Sequence, residues 1–283
     1  MRIFQSVDEM QSYSASLRSN GVNIGLVPTM GAFHDGHLSL IRKSLESTDE
    51  TIVSIFVNPT QFAPSEDLAS YPRDFDRDKD LLRELGVQMI FNPTTEEIYS
   101  DSFSTFTIVE DLSKILEGKS RLSHFKGVTT IVNKLFNIIN PHFAFFGQKD
   151  AQQALIIKKM VEDLNININI IVCPTIRESD GLAMSSRNSN LSTEARKQAA
   201  IIYKSLQSAE TSHLNGEYDV LKLHQNILSE INNASLAGLD YLVIVDEKRL
   251  LPLESTENGA LILIAVLFEN TRLIDNIFLD GSV

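Results

Sequence analysis

In the first 174 residues, short apolar runs alternate with amphipathic segments. Runs such as 52–57 and 142–146 are rich in β-branched or aromatic residues and end in polar turns, which is typical of buried parallel strands. The segments between such runs repeat apolar residues at helical spacing, as Leu38 and Ile41 do, and therefore predict helices. An alternating pattern at 105–109 predicts one further strand. Together these elements predict an α/β fold built on a mostly parallel, doubly wound sheet.

The pattern changes after Pro174. Two long polar helices are predicted at 192–214 and 218–233. They precede three apolar runs that are typical of an antiparallel sheet, at 239–245, 260–268 and 271–279. Because this change of pattern marks a boundary, we expect a first domain of residues 1–174 and a smaller α+β domain of residues 175–283.

Composition and charge narrow the functional class. The chain has 283 residues with 43% hydrophobic and 22% charged side chains, which describes an ordinary soluble protein with a sizeable core. A formal net charge of −12 argues against a nucleic-acid partner, because such a partner needs a basic face. The longest apolar run, Ala260 to Phe268, is too short to span a bilayer, and the N-terminal residues lack the apolar segment of a signal peptide. The single cysteine, Cys173, cannot form an internal disulfide, which suits a cytoplasmic protein.

The most informative stretch runs from Val27 to Leu38, where an apolar run meets a glycine-containing turn and then a helical pattern. A strand, a turn and a helix N-terminus in this order favour an anion, because the first N–H groups of a helix and its dipole point towards the turn. His34 and His37, spaced i, i+3, should lie on the same side of the first helical turn and donate hydrogen bonds to phosphate oxygens. The alternative is a simple turn with a solvated histidine at the helix start.

Two common nucleotide-binding motifs are excluded by the sequence. Gly31 and Gly36 have the spacing of a P-loop, but His37 and Leu38 stand where that motif needs Lys and Ser or Thr. The chain also contains no G-x-G pair, so it lacks the dinucleotide-binding fingerprint. A phosphate site at this turn must therefore use other groups.

Three further polar segments also follow predicted strands, at 58–61, 147–153 and 176–187. In an open parallel sheet, the loops at the carboxyl ends of the strands share one crevice, and ligands bind there. We therefore expect these segments to converge with His34 and His37. Core packing does not require every such loop to be polar, so their shared polarity points to a common ligand.

The side chains in these loops suit different parts of a ligand. Asn58 and Gln61 are amides that suit an uncharged polyol or carboxamide, although an Asx-Pro turn explains them equally well. Lys149 precedes a predicted helix and suits a phosphate, and Gln153 follows four residues later near the same face. A solvated surface lysine is the alternative for Lys149, and the apolar strand before it disfavours that alternative.

Residues 184–187 read Met-Ser-Ser-Arg and place two hydroxyls and a guanidinium within one turn, a donor set for a triphosphate. The alternative is a serine-rich helix cap followed by an exposed arginine. A turn predicted at 180–181 would allow this segment to move as a lid. The acidic run at 73–80 is interpreted as a solvated helix start, with Asp76 and Asp78 as the alternative magnesium ligands.

Several of these segments resemble known motifs. Residues 34–37, read His-Asp-Gly-His, resemble the HIGH motif of adenylyl-transferring enzymes, and residues 184–187 resemble the serine-containing part of their KMSKS lid. Longer strings between residues 28 and 188 are similar to the pantothenate synthetase family and follow the order of that family. They read Pro-Thr-Met-Gly-Ala-Phe-His-Asp-Gly-His, Phe-Val-Asn-Pro-Thr-Gln-Phe, Tyr-Pro-Arg, Phe-Gly-Gln-Lys-Asp-x-Gln-Gln and Arg-Glu-x-Asp-Gly-Leu-Ala-Met-Ser-Ser-Arg-Asn.

The resemblance implies a Rossmann-like nucleotidylyltransferase domain, a smaller C-terminal lid domain that closes over the site, and a homodimer. It implies ATP-dependent ligation of (R)-pantoate and β-alanine to pantothenate through a pantoyl-adenylate intermediate, with release of AMP and pyrophosphate and with Mg²⁺ as cofactor. By the same resemblance, ATP would be bound by Met30, Gly31, Ala32, Phe33, His34, Asp35, Gly36, His37, Gly147, Gln148, Lys149, Asp150, Ile176, Met184, Ser185, Ser186 and Arg187.

The resemblance also implies roles for single residues. Gln61 and Gln153 would bind pantoate, and His37 would be the proton donor. Gln148 stands where relatives often carry Glu, which we interpret as a tolerated change. The family pattern assigns no magnesium ligand in this chain.

Three other activities compete with this one. Another HIGH-motif nucleotidylyltransferase would act on a phosphorylated acceptor, and it would need more basic groups than Gln61 and Gln153 offer. A fragment of an aminoacyl-tRNA synthetase is disfavoured by the acidic balance of the chain. A non-catalytic nucleotide sensor would bind ATP without releasing pyrophosphate.

Overall fold

A computed structural model describes residues 1–62, 68 and 71–281. These residues pack into two compact units. Unit 1 comprises Met1–Gly147 and Gln152–Pro174, and unit 2 comprises Gln148–Ala151 and the chain from Thr175 onward. The domain limits 1–174 and 175–283 stay a prediction, and the packing differs from them in assigning residues 148–151 to unit 2. No helix in the described residues is long and apolar enough to cross a membrane.

Among its described residues, unit 1 has six short strands, β1 (Arg2–Phe4), β2 (Ile24–Thr29), β3 (Glu50–Ile55), β4 (Met89–Phe91), β5 (Phe143–Gly147) and β6 (Asn169–Cys173). They form one sheet in the order β1-β4-β3-β2-β5-β6, and every pair is parallel. Successive residues of the central strand β2 enter different hydrophobic cores, Leu26 one and Val27 the other. Each fully buried aliphatic side chain contributes about 1.5–3 kcal/mol, so burial on both faces stabilises the parallel sheet.

The sheet is flanked by α1 (Val7–Ser19), α2 (Asp35–Ser47), α3 (Phe75–Glu84), α4 (Thr95–Ile98), α5 (Glu117–Ser120), α6 (His124–Ile139) and α7 (Ala151–Asp163). Residues of α1 and α6 pack in the core that contains Leu26. Residues of α2 and α3 pack in the core that contains Val27. Helices therefore cover both faces of the sheet, and the predicted doubly wound α/β fold is confirmed.

The strand predicted at 105–109 is wrong. The N–H of Thr107 donates to the hydroxyl of Thr130 at 3.1 Å, and its carbonyl accepts from the hydroxyl of Thr129 at 2.6 Å. Side chains of α6 thus satisfy backbone groups that a neighbouring strand would otherwise pair. The alternating apolar side chains are not buried either, since Phe106 is 42% exposed and Ile108 is 47% exposed.

The described part of unit 2 contains three strands, β7 (Ala237–Val245), β8 (Ala260–Phe268) and β9 (Thr271–Leu279), and three α-helices, α8 (Thr193–Ala199), α9 (Ile201–Leu214) and α10 (Val220–Ile231). The strands form an antiparallel sheet, as predicted, and their order in it is β7-β8-β9. Apolar residues of helices and strands share one core, for example Ile202, Ile227 and Ile262. The helix predicted at 192–214 is divided at Ala200, where a ψ of −18° tightens the backbone.

Candidate active site

Strand β2 ends in a turn that leads to the N-terminus of α2. The turn contains two residues with positive φ, Gly31 at 81° and Ala32 at 54°. Glycine adopts such angles without strain, whereas Ala32 needs support from its surroundings. Helix α2 begins at Asp35 and is capped by His34, whose Nδ1 accepts a hydrogen bond from the Gly36 N–H at 3.2 Å. The predicted order of strand, turn and helix N-terminus is therefore confirmed.

A buried carboxylate supplies the support for this turn. Asp78 of α3 is 1% exposed, and its two oxygens accept hydrogen bonds from the N–H groups of Ala32 and Phe33 at 2.7 and 3.0 Å. Asp78 Oδ2 would lie 2.7 Å from a Cβ at Gly31, so glycine is needed there for space as well as for φ. The interpretation of residues 73–80 as a solvated helix start is wrong for Asp78, because both of its oxygens accept hydrogen bonds from the turn. A magnesium ligand among Asp76 and Asp78 stays a prediction.

The two histidine rings lie on one side of the first helical turn, as predicted. Their centroids are 4.1 Å apart, and the ring of Phe33 lies 5.8 Å from that of His37. Because His34 Nδ1 accepts the Gly36 N–H, the neutral His34 ring carries its proton on Nε2, which is its donor. A Cβ at Gly36 would lie 2.8 Å from the His34 ring, so glycine permits this packing. Two imidazoles at the positive end of a helix dipole suit a phosphate.

Replacing Asp78 with alanine should lower the free energy of unfolding by about 1–3 kcal/mol, because two buried N–H groups lose their acceptor. Asp78→Asn should have a smaller effect, since its amide oxygen still accepts one of the two bonds. Urea denaturation measures both variants. The matched control is Asp80→Ala, whose carboxylate lies on the exposed side of the same helix beside Arg83 and should contribute less than about 1 kcal/mol. Equal losses for the three variants would contradict the role given to Asp78.

A second group of polar residues in unit 1 surrounds Gln61. This residue is buried in the short 3₁₀ turn Pro59–Gln61. Asn58 Nδ2 donates to Gln61 Oε1 at 3.1 Å, and Gln61 Nε2 donates to Met30 Sδ at 3.0 Å. The second contact joins Gln61 to the segment that carries the histidines.

Asn58 supports this group and does not present its amide to solvent. It is fully buried, its Nδ2 also donates to the Gly127 carbonyl at 3.1 Å, and its Oδ1 accepts from the Tyr99 hydroxyl at 2.8 Å. Gly127 of α6 packs so closely that a Cβ there would lie 2.5 Å from the Gln61 backbone. Of the two amides that the sequence singled out, Gln61 is therefore the candidate for ligand contact, and Asn58 orients it.

In unit 2, residues 176–184 form a hairpin. Arg177 pairs with Ala183 in an antiparallel bridge, and the Met184 N–H donates to the Ile176 carbonyl at 2.9 Å. Gly181 makes the turn with a φ of 94°. The turn predicted at 180–181 is confirmed, and it directs the chain into the Met-Ser-Ser-Arg segment.

The segment after the hairpin shares a pocket with Lys149. Ser185 accepts a hydrogen bond from the Arg187 N–H at 3.2 Å and caps the 3₁₀ helix Ser186–Asn190. Ser185, Arg187 and Lys149 line one pocket of unit 2, and Arg272 of β9 lines it as well. The capping role of Ser185 is confirmed, and the phosphate-binding role of the segment stays a prediction. Arg272 was not singled out by the sequence, because an arginine in an alternating strand has no distinctive local signal.

The hairpin is tied to the rest of unit 2 by ion pairs. Arg177 donates two hydrogen bonds to Asp275, at 2.6 and 3.1 Å. Arg196 of α8 pairs with Glu178 and Asp180, which both precede Gly181 in the chain, and the hydrogen bonds from Arg196 hold the pKa of the Asp180 carboxyl below its usual range. A lid formed by this segment alone would have to break these contacts. Any lid motion must therefore carry the hairpin and its anchors together.

Comparison with known proteins shows the family of this chain. Residues 2–278 match the family model described as pantoate-beta-alanine ligase. The chain belongs to the pantoate–β-alanine ligase family. The pantothenate synthetase of Enterococcus faecalis is 50% identical over 276 residues, which cover 98% of each chain. That of Thermotoga petrophila is 48% identical over 279 residues, which cover 99% of this chain and 100% of the relative.

Solved structures of pantoate–β-alanine ligases share the whole fold. The pantothenate synthetase of Thermus thermophilus has a TM-score of 0.93 at 40% identity, and the match covers 99% of this chain and 100% of the other. The ligase of Francisella tularensis, complexed with beta-gamma ATP and beta-alanine, has a TM-score of 0.80 at 38% identity, over 100% and 99% of the chains. The family resemblance seen in the sequence is confirmed.

Helix α7 of this pantoate–β-alanine ligase carries two adjacent glutamines, Gln152 and Gln153, in different environments. Gln152 is buried, its Oε1 accepts from the Glu117 N–H at 3.0 Å, and its Nε2 donates to the carbonyls of Leu112 and Ile115, both at 2.8 Å. Gln153 is only half-buried. Gln153 is therefore the one of the pair that remains a candidate for substrate contact.

Within each unit, the structure brings several predicted residues of this ligase family together. In unit 1, Met30 contacts Gln61, and His34 lies beside His37. In unit 2, Lys149 shares a pocket with residues of the Met-Ser-Ser-Arg segment. Gly147 ends β5, and residues 148–150 form a 3₁₀ turn. The convergence of all these residues on one ligand stays a prediction.

Proposed function

We propose that this protein ligates (R)-pantoate and β-alanine to form pantothenate, with ATP converted to AMP and pyrophosphate. The observation that carries the proposal is the pair of histidine rings at the N-terminus of α2, together with the hydrogen bond from Gln61 to Met30 of the turn that precedes them. Donors for a phosphate next to a neutral amide suit a polar carboxylic acid that is activated by adenylation. Membership of the pantoate–β-alanine ligase family supports the same activity.

In the first step, a carboxylate oxygen of pantoate attacks the α-phosphorus of ATP, and the bond from that phosphorus to the bridging oxygen breaks. The products are pantoyl adenylate and pyrophosphate, and negative charge increases on the phosphate oxygens as the bond breaks. His34 and His37 donate hydrogen bonds to these oxygens, and His37 is the proton donor. Such donors are most effective when they are fixed beforehand, and Asp78 fixes the turn that carries them.

In the second step, the free amine of β-alanine attacks the acyl carbon of the adenylate. The bond from that carbon to the phosphate oxygen breaks, AMP leaves with the electron pair, and the nitrogen loses a proton as the amide forms. The mixed anhydride must be kept from water between the steps. We assign this protection to the smaller domain, residues 175–283, acting as a lid over the nucleotide- and pantoate-binding domain, residues 1–174.

The phosphates of ATP are assigned to both parts of the chain. Lys149, Ser185 and Arg187 supply an ammonium, a hydroxyl and a guanidinium at one pocket, and the charged groups form the stronger hydrogen bonds. The remaining nucleotide contacts are assigned to residues 30–37 and to residues adjacent to Lys149 and to the hairpin, namely Gly147, Gln148, Asp150, Ile176, Met184 and Ser186.

Gln61→Ala should raise the KM for pantoate by up to about ten-fold, because one hydrogen bond to a neutral group contributes about 0.5–1.5 kcal/mol. The KM for ATP should change by less than about two-fold, since the amide is assigned to pantoate and not to the nucleotide. Steady-state kinetics with each substrate varied in turn measures both constants. Gln207→Ala, on the exposed surface of α9, is the matched control. Equal increases in the two KM values would contradict the assignment.

Mg²⁺, a homodimer and a cytoplasmic location complete the proposal. The described residues contain no group of three His, Cys, Asp or Glu side chains able to hold a metal ion. We propose that Mg²⁺ would be bound mainly by substrate phosphates and water, where it would neutralise phosphate charge, and no protein ligand is assigned. Sedimentation velocity should show a species of twice the 31.6 kDa chain mass, and a monomer at all concentrations would contradict the dimer.

The decisive test is pyrophosphate release from ATP with pantoate, first alone and then with β-alanine. Pantoate alone should give a stoichiometric burst of pyrophosphate and enzyme-bound pantoyl adenylate, and β-alanine should convert this into continuous formation of pantothenate and AMP. Formation of a dinucleotide from a phosphorylated acceptor would indicate another HIGH-motif nucleotidylyltransferase. Binding of ATP without pyrophosphate release would indicate a nucleotide sensor. Either result would overturn the proposal.

A further inference from the structure

Two neighbouring polar residues of β9 are buried in unit 2. Asp275 is 3% exposed and Asn276 is 1% exposed. A carboxylate and an amide removed from water destabilise the fold unless hydrogen-bond partners satisfy them. The partners of these two side chains therefore indicate what the strand is built to hold.

Asn276 holds the backbone at Lys149. Its Nδ2 donates to two consecutive carbonyls, that of Gln148 at 2.9 Å and that of Lys149 at 3.0 Å. Its Oδ1 accepts from Gln148 Nε2 at 3.4 Å. Both amide protons are used, so the 3₁₀ turn that carries Lys149 is fixed to β9 within unit 2.

Asp275 holds the hairpin that leads to Ser185. It accepts two hydrogen bonds from the guanidinium of Arg177, at 2.6 and 3.1 Å. The same guanidinium donates to the Gly181 carbonyl at 3.1 Å and lies 3.6 Å from the centre of the Tyr203 ring. One arginine thus links the strand, the turn of the hairpin and α9, and its only carboxylate partner among these contacts is Asp275.

Asp275 and Asn276 are adjacent on β9, which pairs along its length with β8. Asp275 lies opposite Ile264, and Asn276 lies opposite Leu263. Successive side chains of a strand point to opposite faces, so one rigid element reaches two separate segments. Lys149, Ser185 and Arg187 line the same pocket as Asp275. Strand β9 therefore sets the spacing between the Lys149 ammonium and the Ser185 hydroxyl and Arg187 guanidinium.

We propose that Asp275 and Asn276 are positioning residues that hold Lys149 and the Ser185–Arg187 segment in register for binding the phosphates of ATP. This inference rests on the proposed function, because it assumes that these two segments bind ATP. It adds that the C-terminal sheet builds the phosphate site, beyond any role as a lid. Neither residue touches the reacting atoms, and each acts through the segment that it holds.

The test is a double-mutant cycle between Asn276→Ala and Lys149→Ala, with KM for ATP, KM for pantoate and the dissociation constant for ATP as readouts. Asn276→Ala should raise the KM and the dissociation constant for ATP by about 10–100-fold, because small misplacements of a binding group are costly, and should leave the KM for pantoate within about two-fold. In the Lys149→Ala protein, adding Asn276→Ala should raise the KM and the dissociation constant for ATP by less than about three-fold, because the side chain that Asn276 positions is already absent. Asn233→Ala, an exposed site of the same unit, is the control.

The outcomes separate this inference from the proposed function. If Lys149→Ala weakens ATP binding, and Asn276→Ala weakens it by the same factor with and without Lys149, the two residues act independently. The positioning role of Asn276 is then wrong, while the function of Lys149 stands. If Lys149→Ala leaves ATP binding unchanged, the proposed phosphate site fails, and the inference fails with it. A purely structural role would lower the melting temperature and the active fraction without changing the KM for ATP. Should Asn276→Ala not fold, Asn276→Ser replaces it, and the cycle of Asp275→Asn with Arg187→Ala tests the second segment.

Discussion

His37→Ala should reduce kcat/KM for pyrophosphate release by about 10²–10³-fold, the usual loss when one preorganised donor to a developing oxyanion is removed. The effect should be large because His37 lies at the N-terminus of α2, where its ring, the ring of His34 4.1 Å away and the helix dipole all favour the same negative charge. Single-turnover pyrophosphate release with saturating ATP and pantoate measures the chemical step directly. The loss should fall mainly on the rate constant, since the donor matters most once charge has built up.

Two comparisons make the His37 result interpretable. His37→Gln keeps an N–H donor and should restore part of the lost rate, whereas a ring needed only for packing against Phe33 would not be replaced by a flexible amide. His224→Ala on α10 of unit 2 is the matched control and should behave as the unmodified protein. A His37→Ala protein that releases pyrophosphate at nearly the original rate would refute the role given to this residue.

The histidine turn was predictable because its chemistry is local. A strand, a turn with Gly31 and Gly36, and two histidines at helical spacing occupy consecutive positions, so the helix N-terminus and the shared side of its first turn follow from sequence alone. The strands were predictable for a similar reason, since burial on both faces leaves continuous apolar runs. The order and pairing of the strands were not predictable in this way, because they depend on how distant segments pack and not on any single apolar run.

The support for the turn was harder to predict. Asp78 lies in an acidic run that has the appearance of a solvated helix start, and its partners Ala32 and Phe33 are more than forty residues earlier in the chain. One signal was present: Asp78 follows Phe75 by three residues and precedes Leu82 by four, which places it on the apolar side of α3. A carboxylate on an apolar helix face implies a buried partner, but the sequence does not say which one.

The same limit applies to Asn58 and Asn276. Both are amides in polar or strand segments, and an isolated sequence does not distinguish an amide that contacts a ligand from one that holds a loop. The distinction depends on burial and on the backbone groups within reach, which are tertiary properties. Asn58 proves to bind Gln61 and Gly127, and Asn276 binds the carbonyls of residues 148 and 149. The residue types of the candidate site were therefore predictable, whereas their division into contact and support was not.

Arg177→Met should lower the free energy of unfolding by about 3–5 kcal/mol, because it leaves the carboxylate of Asp275 buried without its partner. Methionine is chosen because its unbranched side chain can still pack against Tyr203, so that loss of charge and not loss of packing dominates. Urea denaturation at neutral pH measures the loss. Arg249→Met, at an exposed site of unit 2, is the matched control and should change the stability by less than about 0.5 kcal/mol.

The dependence on pH provides an independent check of the cause. Burial raises the pKa of the Asp275 carboxyl, and in the parent protein the hydrogen bonds and charge of Arg177 oppose this rise. Without Arg177 the folded-state pKa should rise further above the unfolded value of about 3.9, so the folded state takes up a proton that the unfolded state has already lost. The stability of Arg177→Met should therefore fall relative to the parent as the pH increases from about 4, and Arg177→Met/Asp275→Leu should recover much of the loss at neutral pH. A loss that is the same at all pH values, and that the second substitution does not recover, would show that packing rather than an unpaired carboxylate destabilises the variant.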